Sequence, residues 1–274
     1  MDELKQITYK EFKAISEYIE DNYGIHLRDE KQTLVAGRLG NELISLGFES
    51  FTEYFEYVKE DSSGDAVIKL IDKITTNHTF FMREAEHFYY YRDKVLPYFK
   101  NTIKDNDLRV WCAACSTGEE AYTLAFITDE FLATDKKVWD KKILATDISS
   151  KVLHLAEQGV YSNDRIAPLP NKWRLTYFEK YDSDNWVVKK EMKNEVIYRK
   201  FNLMDRDFPF RKKFHVIFCR NVMIYFDNET KERLVNKFYD ALSPGGYLFI
   251  GHSESINKEA TKLRYIMPSI YRKE

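Results

Sequence analysis

Features that would place a chain in a specialised structural class are scarce in this sequence of 274 residues. No apolar run approaches the roughly 18 residues of a membrane-spanning helix, so we expect no membrane insertion. Three cysteines are too few for a disulfide framework, which favours a reducing compartment, the cytoplasm. With 44% hydrophobic and 15% aromatic residues, the chain has ample apolar surface for a folded core.

A dense run of charge of one sign is also absent. The chain carries a formal net charge of −2. Residues 1–75 hold nine Lys/Arg and sixteen Asp/Glu, a net charge of −7, so the remainder has a net charge of +5. Binding to nucleic acid usually needs a basic stripe that neutralises several phosphates. We therefore expect no nucleic-acid partner.

Proline is absent from residues 1–75, and no stretch there is typical of a strand. Apolar residues recur at helical spacing, first at Phe12, Ile15 and Ile19, and three further apolar faces follow before residue 75. This pattern predicts a small all-α N-terminal domain over 1–75, followed by a linker and helix over 76–107.

After residue 107 the pattern changes to short apolar strands that alternate with helices, which predicts a doubly wound parallel sheet over 108–274. The predicted strands are 108–112, 142–147, 214–219 and 246–250, and the predicted helices between them include 118–132 and 229–242. Two apolar segments, 185–188 and 196–198, are separated by charged residues. They predict a small antiparallel β insertion at about 181–200.

Ligands of such sheets bind beyond the carboxyl ends of the strands. The first strand ends in the small-residue turn Ala113–Glu120, whose acidic end suits a ligand with an ammonium or sulfonium group better than a phosphate. Asp147 ends the second strand, where its carboxylate can accept both hydroxyls of a ribose; a purely structural capping role is the alternative. Arg220 and Asn221 follow a later strand. A single glycine in the first turn counts against a dinucleotide.

Cys112 and Cys115 form a C-x-x-C sequence. A structural zinc site usually needs four ligands, and no second pair exists, so we expect no metal. A redox dithiol remains an alternative, because a helix N-terminus lowers a thiol pKa. Packing beside the turn is the interpretation that we favour.

Two further segments place polar side chains among aromatic ones. The first runs from Asn77 to Arg83, and the second contains Tyr225. The plain interpretation is a hinge anchored by Phe80 and Phe81, with Arg83 in a salt bridge, and a buried tyrosine with a satisfied hydroxyl. The alternative is that these residues contribute to a reaction site.

Taken together, five segments resemble the CheR family of bacterial chemoreceptor glutamate methyltransferases. They are N-H-T-F-F-M-R-E at 77–84, A-A-C-S-T-G-E-E at 113–120, A-T-D-I-S at 145–149, C-R-N-V-M-I-Y-F at 219–226 and S-P-G-G-Y-L at 243–248. Their order and spacing match over nearly the full chain. The resemblance implies a Rossmann-like class I methyltransferase domain with a small antiparallel β insertion, preceded by an all-α domain.

The resemblance also implies residue roles. Arg83 and Tyr225 would hold the substrate carboxylate and act as the catalytic residues. The cofactor, S-adenosyl-L-methionine, would leave as S-adenosyl-L-homocysteine. Its binding residues would be Asn77, Thr79, Arg83, Ala113, Glu120, Asp147, Asn202, Leu203, Arg220 and Asn221.

The implied reaction is γ-methyl esterification of glutamates in the cytoplasmic helical region of methyl-accepting chemotaxis receptors. The enzyme would be a cytoplasmic monomer recruited to receptor arrays at the inner face of the membrane, with the N-terminal domain as the docking surface. Lys31 and Arg38 could form a basic strip there. Residues 181–195 contain no glycine, whereas relatives that tether to a receptor C-terminal pentapeptide use a glycine-containing loop. We therefore expect no tether.

Two other functions fit parts of this sequence. A methyltransferase for nucleic acids or small molecules would lack the pair of Arg83 and Tyr225, or would carry an Asn-Pro-Pro-Tyr-like motif, which is absent here. A non-catalytic sensor of the cofactor product would not need that pair.

Overall fold

The computed structural model describes residues 6–274, with the backbone alone at positions 134 and 136. These residues form two compact units. The described residues up to His78 belong to the smaller unit, together with Tyr225–Thr230. The larger unit consists of Thr79–Ile224 and Lys231–Glu274. Most of the predicted linker over 76–107 therefore lies within the larger unit.

The smaller unit is helical. Helix α1 begins with a capping box, in which the Thr8 hydroxyl accepts from the Glu11 amide and the Glu11 carboxylate accepts from the Thr8 amide. It ends at Gly24, which has a positive φ of 70°. The core of this unit includes Phe12, Ile15 and Ile19, as predicted. The helices are α1 (Tyr9–Tyr23), α2 (Gln32–Leu46), α3 (Phe51–Glu60) and α4 (Asp65–Ile74).

The larger unit is built on a seven-stranded sheet with a separate three-stranded sheet. The ten strands of the two sheets, in chain order, are β1 (Val110–Ala113), β2 (Ile143–Asp147), β3 (Val160–Ser162), β4 (Phe178–Lys180), β5 (Asn185–Val188), β6 (Val196–Lys200), β7 (Phe214–Cys219), β8 (Leu242–Phe249), β9 (Arg264–Met267) and β10 (Ile270–Arg272). The remaining helices are α5 (Ala85–Tyr90), α6 (Leu96–Thr102), α7 (Glu119–Leu132), α8 (Ser150–Gln158), α9 (Asn163–Ile166), α10 (Asn171–Tyr177), α11 (Lys190–Lys193) and α12 (Asn228–Ala241).

The spatial order of the large sheet is β6-β2-β1-β7-β8-β10-β9. The first five strands run parallel, and β10 and β9 pair antiparallel at one edge. The chain order reverses between β1 and β7, which makes that crevice the topological switch point where ligands of such folds bind. The predicted doubly wound sheet and separate helical domain are confirmed.

One strand prediction was wrong in its pairing. The small antiparallel sheet has the order β3-β5-β4, so Asn185–Val188 lies in it as predicted. Val196–Lys200 instead joins the large sheet and pairs parallel with β2. The charged residues between the two segments form the short helix Lys190–Lys193 rather than a hairpin turn. The insertion therefore begins at Val160 and ends at Val188.

Aromatic packing fixes one face of strand β1. The Trp111 side chain is fully buried and contacts the rings of Phe201, Phe208, Phe214 and Phe238. Its indole N–H donates to the Thr146 hydroxyl of neighbouring strand β2 at 2.9 Å. Because a buried indole needs a partner for its one donor, this bond helps to set the register of the first two strands.

Candidate active site

Four adjacent parallel strands each end beside a residue that the sequence singled out. Strand β6 leads to Asn202 and Leu203, β2 ends at Asp147, β1 ends at Ala113, and β7 leads to Arg220. Neighbouring strands lie about 4.8 Å apart, so this edge spans roughly 14 Å. That length accommodates a nucleoside with a side chain lying across the strand ends.

The turn after β1 has unusual backbone geometry. Ala114, Ser116 and Gly118 all have positive φ values, of 65°, 49° and 94°. A Cβ atom at Gly118 would lie 2.8 Å from the Cβ of Ala156 and 3.0 Å from the hydroxyl of Tyr161. Only glycine fits there, because both the backbone angle and the surrounding side chains exclude a larger residue. Left-handed non-glycine residues cluster at functional sites.

Asp147 joins two turns at the same edge. One carboxylate oxygen accepts from the Ser116 amide at 2.8 Å, and the other accepts from the Ser149 amide at 3.0 Å. Asp147 therefore orders the start of helix α8 and also fixes the turn after β1. The capping interpretation and the ligand interpretation are compatible, since a carboxylate offers about four acceptor positions.

Arg220 is the centre of a buried ionic network. Its side chain is 0% exposed and lies over the Phe88 ring, 5.2 Å from the centroid. Nη1 donates to the Glu120 carboxylate at 2.7 Å, and Nη2 donates to the Glu84 carboxylate at 2.9 Å and to the carbonyl oxygen of Arg83. Charge-assisted bonds in a buried setting fix this guanidinium at the switch point.

Glu84 is a site residue that sequence reasoning missed. Its carboxylate also accepts from the Asn221 side-chain amide at 3.1 Å and from the His252 backbone N–H at 3.1 Å. Burial alone would raise the pKa of Glu84, but the hydrogen bonds from Arg220 and Asn221 outweigh it and lower the pKa to about 2. Glu84 is part of the motif at 77–84, but the sequence spacing gives no indication of which residues it contacts.

A second missed carboxylate, Glu254, holds the turn after β7. It accepts from the backbone amides of Asn221 at 3.0 Å, Ile224 at 3.2 Å and Gly251 at 2.5 Å. Asn221 itself has a positive φ of 59°. Burial raises the pKa of Glu254, because its donors are neutral amides that only partly offset the desolvation.

Arg83 lies in a backbone segment with two left-handed neighbours, Met82 at φ 60° and Glu84 at φ 57°. Phe81 anchors the segment: it is 1% exposed and contacts the rings of Phe126, Tyr161 and Phe178. The prediction of Phe80 as a second anchor was wrong, because its side chain is 43% exposed. Thr79 begins the larger unit two residues earlier.

Asn77 and Tyr225, two other predicted site residues, belong to the smaller unit. The Asn77 side-chain amide donates to Asp72 at 3.0 Å. The Tyr225 hydroxyl accepts from the Thr76 amide at 3.0 Å and can donate to the Thr76 carbonyl oxygen at 3.2 Å. The hydroxyl of Tyr225 is therefore satisfied, as the plain interpretation expected, but the side chain is half-buried rather than buried. These bonds join Tyr225 to the residue next to Asn77.

The cysteines of the C-x-x-C sequence are buried and free. Burial raises the pKa of both thiols well above the usual value, with the nearby Glu120 and Asp147 carboxylates adding to the effect. Cys112 Sγ donates to Glu120 at 3.3 Å. Because the thiolate is the reactive form, this environment favours the packing interpretation over a redox dithiol.

Among residues 6–274, Glu84, His87 and His252 form a group whose potential metal-ligating atoms lie within 4.8 Å of one another. Glu84 already accepts from the Arg220 guanidinium and from the His252 amide. A cation there would sit beside a buried positive charge and would have to displace it. We assign no metal to this group.

Comparison with known proteins decides the family. Residues 10–75 match the family described as CheR methyltransferase, all-alpha domain, and residues 77–271 match CheR methyltransferase, SAM binding domain. The chain is 43% identical over 270 residues to a chemotaxis protein methyltransferase of Borreliella burgdorferi, covering 97% of this chain and 95% of that protein. It is 34% identical over 260 residues to the chemotaxis protein methyltransferase of Escherichia coli, covering 94% and 88%.

This chain belongs to the CheR methyltransferase family. The prediction of S-adenosylmethionine as its cofactor is confirmed, because the family domain over 77–271 is the one that binds it. The strand ends described above lie within that CheR domain. Across residues 6–274, no helix is long and apolar enough to cross a membrane.

Proposed function

We propose that this chain transfers the methyl group of S-adenosylmethionine to glutamate side chains of chemoreceptors and so forms γ-methyl esters. Membership of the CheR family supports this proposal, and so do the names of its relatives. The observation that carries it is the row of four adjacent strand ends, each of which presents a residue suited to one part of the cofactor.

The cofactor roles follow from the chemistry of those residues. Glu120 suits the cofactor's ammonium group, and Asp147 suits the ribose hydroxyls. Asn202 and Leu203 would flank the adenine, and their position after β6, next to β2, is compatible with that role. The remaining assigned residues, which would complete the methionine end of the pocket, are Asn77, Thr79, Arg83, Ala113, Arg220 and Asn221.

The transfer needs no general base. A glutamate side chain has an ordinary pKa of about 4.3, so the attacking carboxylate is already ionised at neutral pH. A bond forms between its oxygen and the methyl carbon while the carbon–sulfur bond breaks, and the electron pair stays on sulfur. The cofactor supplies an activated methyl group; alignment by the protein can lower the barrier by about 7–11 kcal/mol.

Arg83 and Tyr225 would hold the substrate carboxylate. Arg83 offsets the cost of desolvating the anion, and Tyr225 adds a hydrogen bond that orients one oxygen. In that role the Tyr225 hydroxyl would exchange its bond to the Thr76 carbonyl oxygen for one to the substrate. Neither residue acts as an acid.

The test is transfer of tritiated methyl groups to receptor-containing membranes. Esters release the label in base, whereas methylated amines and nucleobases largely retain it, so the same assay separates the rival substrate classes. Arg83→Ala and Tyr225→Phe should each reduce transfer at least 100-fold. Cofactor affinity should stay within about fivefold in Tyr225→Phe, because in the proposed role Tyr225 contacts the substrate and not the cofactor. The matched controls Arg211→Ala and Tyr181→Phe alter exposed residues and should leave transfer unchanged.

Base-stable label, or no label above that of a cofactor-only blank, would contradict glutamate esterification. Near-normal transfer by both site variants would contradict the assigned roles and leave the reaction class standing. A chain that binds the cofactor product and transfers nothing would be the sensor module instead.

We also propose that recognition of the receptor does not depend on a C-terminal pentapeptide. The segment between β4 and β5 is a tight turn, in which the Asp182 carboxylate accepts from the backbone amides of Asp184 and Asn185. It contains no glycine to open the turn. Calorimetry with a receptor pentapeptide should show no binding at micromolar concentration, and binding in that range would refute the proposal.

The smaller unit is the proposed docking surface for the helical region of the receptor, which would bring a cytoplasmic, monomeric enzyme to receptor arrays at the membrane. Lys31 and Arg38 do not form a continuous basic strip, since Lys31 lies in the turn before α2 and Arg38 lies on α2. Arg38 Nη1 donates to the carbonyl oxygens of Ile74 at 2.8 Å and Thr75 at 3.1 Å, where it caps α4. Lys31 is exposed and keeps the proposed contact role.

A further inference from the structure

The buried guanidinium of Arg220 binds two carboxylates, of which one, Glu120, belongs to the strand-end site and the other, Glu84, does not. It bonds Glu120, the residue assigned to the cofactor's ammonium group, at 2.7 Å, and Glu84 at 2.9 Å. Two carboxylates thus face one guanidinium. The three side chains together carry a surplus of one negative charge, so Glu120 keeps part of its charge for a cationic ligand.

Glu84 is well placed to hold its share of Arg220. It lies at the start of helix α5 in a left-handed conformation, and its own carboxylate accepts from Asn221 and from the His252 backbone amide. These bonds leave Glu84 little freedom to turn away. The side chain is 14% exposed, so bulk water screens the interaction with Arg220 only weakly.

Loss of the Glu84 charge would therefore act on Glu120 through Arg220. With Glu84 neutral, the guanidinium would pair with Glu120 alone, and the surplus negative charge would vanish. An ammonium group approaching Glu120 would then meet a neutral ion pair in place of a partly uncompensated carboxylate.

We propose that Glu84 is a positioning residue for cofactor binding: by holding Arg220 between two carboxylates, it preserves the negative charge that Glu120 presents to the amino group of the cofactor. This inference rests on the proposed function, through the assignment of Glu120. It predicts that Glu84 matters only for ligands that carry the amino-acid part.

The experiment compares two probes by calorimetry on the full-length chain. S-adenosylhomocysteine carries the amino group, and 5′-methylthioadenosine lacks the whole amino-acid part. Glu84→Gln should weaken binding of the first probe at least tenfold and of the second less than twofold. Glu84→Asp keeps the charge, so its ratio of affinities for the two probes should lie within about threefold of that of the unmodified chain. This variant also provides the test if Glu84→Gln does not fold. The matched control is Glu86→Gln, whose side chain is 76% exposed.

Equal losses for both probes in Glu84→Gln would mean a merely structural role and would overturn the proposal. So would a tenfold loss of preference in Glu84→Asp. Glu120→Gln separates the two levels of inference. If Glu120→Gln leaves S-adenosylhomocysteine binding unchanged, the assignment of Glu120 is wrong, and so is this inference. If Glu120→Gln weakens binding and Glu84→Gln does not, only the role of Glu84 is wrong.

Discussion

The pH dependence of stability offers a direct test of the Glu84–Arg220 pair. The pKa of Glu84 is lowered from 4.5 to about 2 in the folded chain, because the bonds from Arg220 and Asn221 outweigh its burial. An acid with a depressed folded pKa contributes stability above its unfolded pKa and loses it as the pH falls toward the folded pKa. The window for Glu84 therefore lies between about pH 4.5 and pH 2.

The expected magnitude follows from the shift. Each pKa unit corresponds to about 1.4 kcal/mol, so ionised Glu84 should contribute about 3 kcal/mol at pH 7 and about 1.5 kcal/mol at pH 3. Glu84→Gln keeps the shape of the protonated form and removes the titration. Urea unfolding followed by tryptophan fluorescence should show the variant less stable by these two amounts at the two pH values.

The comparison between chains matters, because Glu119 and Glu254 also have shifted pKa values, both raised by burial. Their titration is common to the unmodified chain and the variant, and it cancels in the difference. That of His87 does not cancel: its Nδ1 lies 3.6 Å from the Glu84 carboxylate, and burial lowers its pKa to about 3. Loss of the Glu84 charge lowers the His87 pKa further, so the difference at pH 3 should be slightly larger than Glu84 alone would give. A stability difference that stays the same at pH 7 and pH 3 would refute the reasoning. Glu86→Gln, at an exposed site, should change stability by less than about 0.5 kcal/mol at either pH.

Three further substitutions test other parts of the structure. Gly118→Ala should abolish detectable S-adenosylhomocysteine binding in calorimetry, because its Cβ would lie 2.8 Å from that of Ala156 and φ is 94°; normal binding would contradict the geometry of the turn. Arg38→Ala should lower the free energy of urea unfolding by about 2 kcal/mol, because it removes charged hydrogen bonds to the end of α4, whereas Lys31→Ala should not. Trp111→Phe should cost about 2 kcal/mol by the same measurement, because it removes a buried indole N–H bond and leaves a void.

The parts of the fold that follow from short-range pattern could be predicted from the sequence. The strand Phe214–Cys219 is continuous and apolar, and the structure has it with the same bounds. The helix expected over 118–132 begins one residue later, at Glu119, and ends at Leu132. The strand is an apolar run bounded by the charged residues Lys213 and Arg220, and the helix starts directly after Gly118.

Pairing could not be predicted in the same way. Val196–Lys200 has the same local character whether it turns back on Asn185–Val188 or joins β2, and the choice depends on residues that are distant in sequence. The antiparallel edge strands Arg264–Met267 and Ile270–Arg272 were not predicted, because they are short and carry charged side chains that weaken the apolar pattern.

The site shows the same division between local and distant information. The residues at the strand ends could be found from motifs, because parallel strands bring their carboxyl ends to one edge. Glu84 and Glu254 could not be assigned partners: Glu84 is separated by more than 130 residues from Arg220, and Glu254 binds backbone amides that no side-chain motif records.

These two carboxylates show why chain position says little about their behaviour. Both are largely buried and both accept several hydrogen bonds, yet the pKa of Glu84 is lowered and that of Glu254 is raised. The difference lies in the donors, because Glu84 faces the charged guanidinium of Arg220 whereas Glu254 faces neutral amides. Glu84 thus preserves the negative charge of Glu120 by pairing with Arg220, and Glu254 maintains the shape of the turn that carries Asn221. Cation binding at this site therefore depends on both carboxylates. Without the Glu84 charge, Glu120 would be neutralised by Arg220 even if the turn kept its shape. Without Glu254, the turn would be distorted even if Glu120 kept its charge.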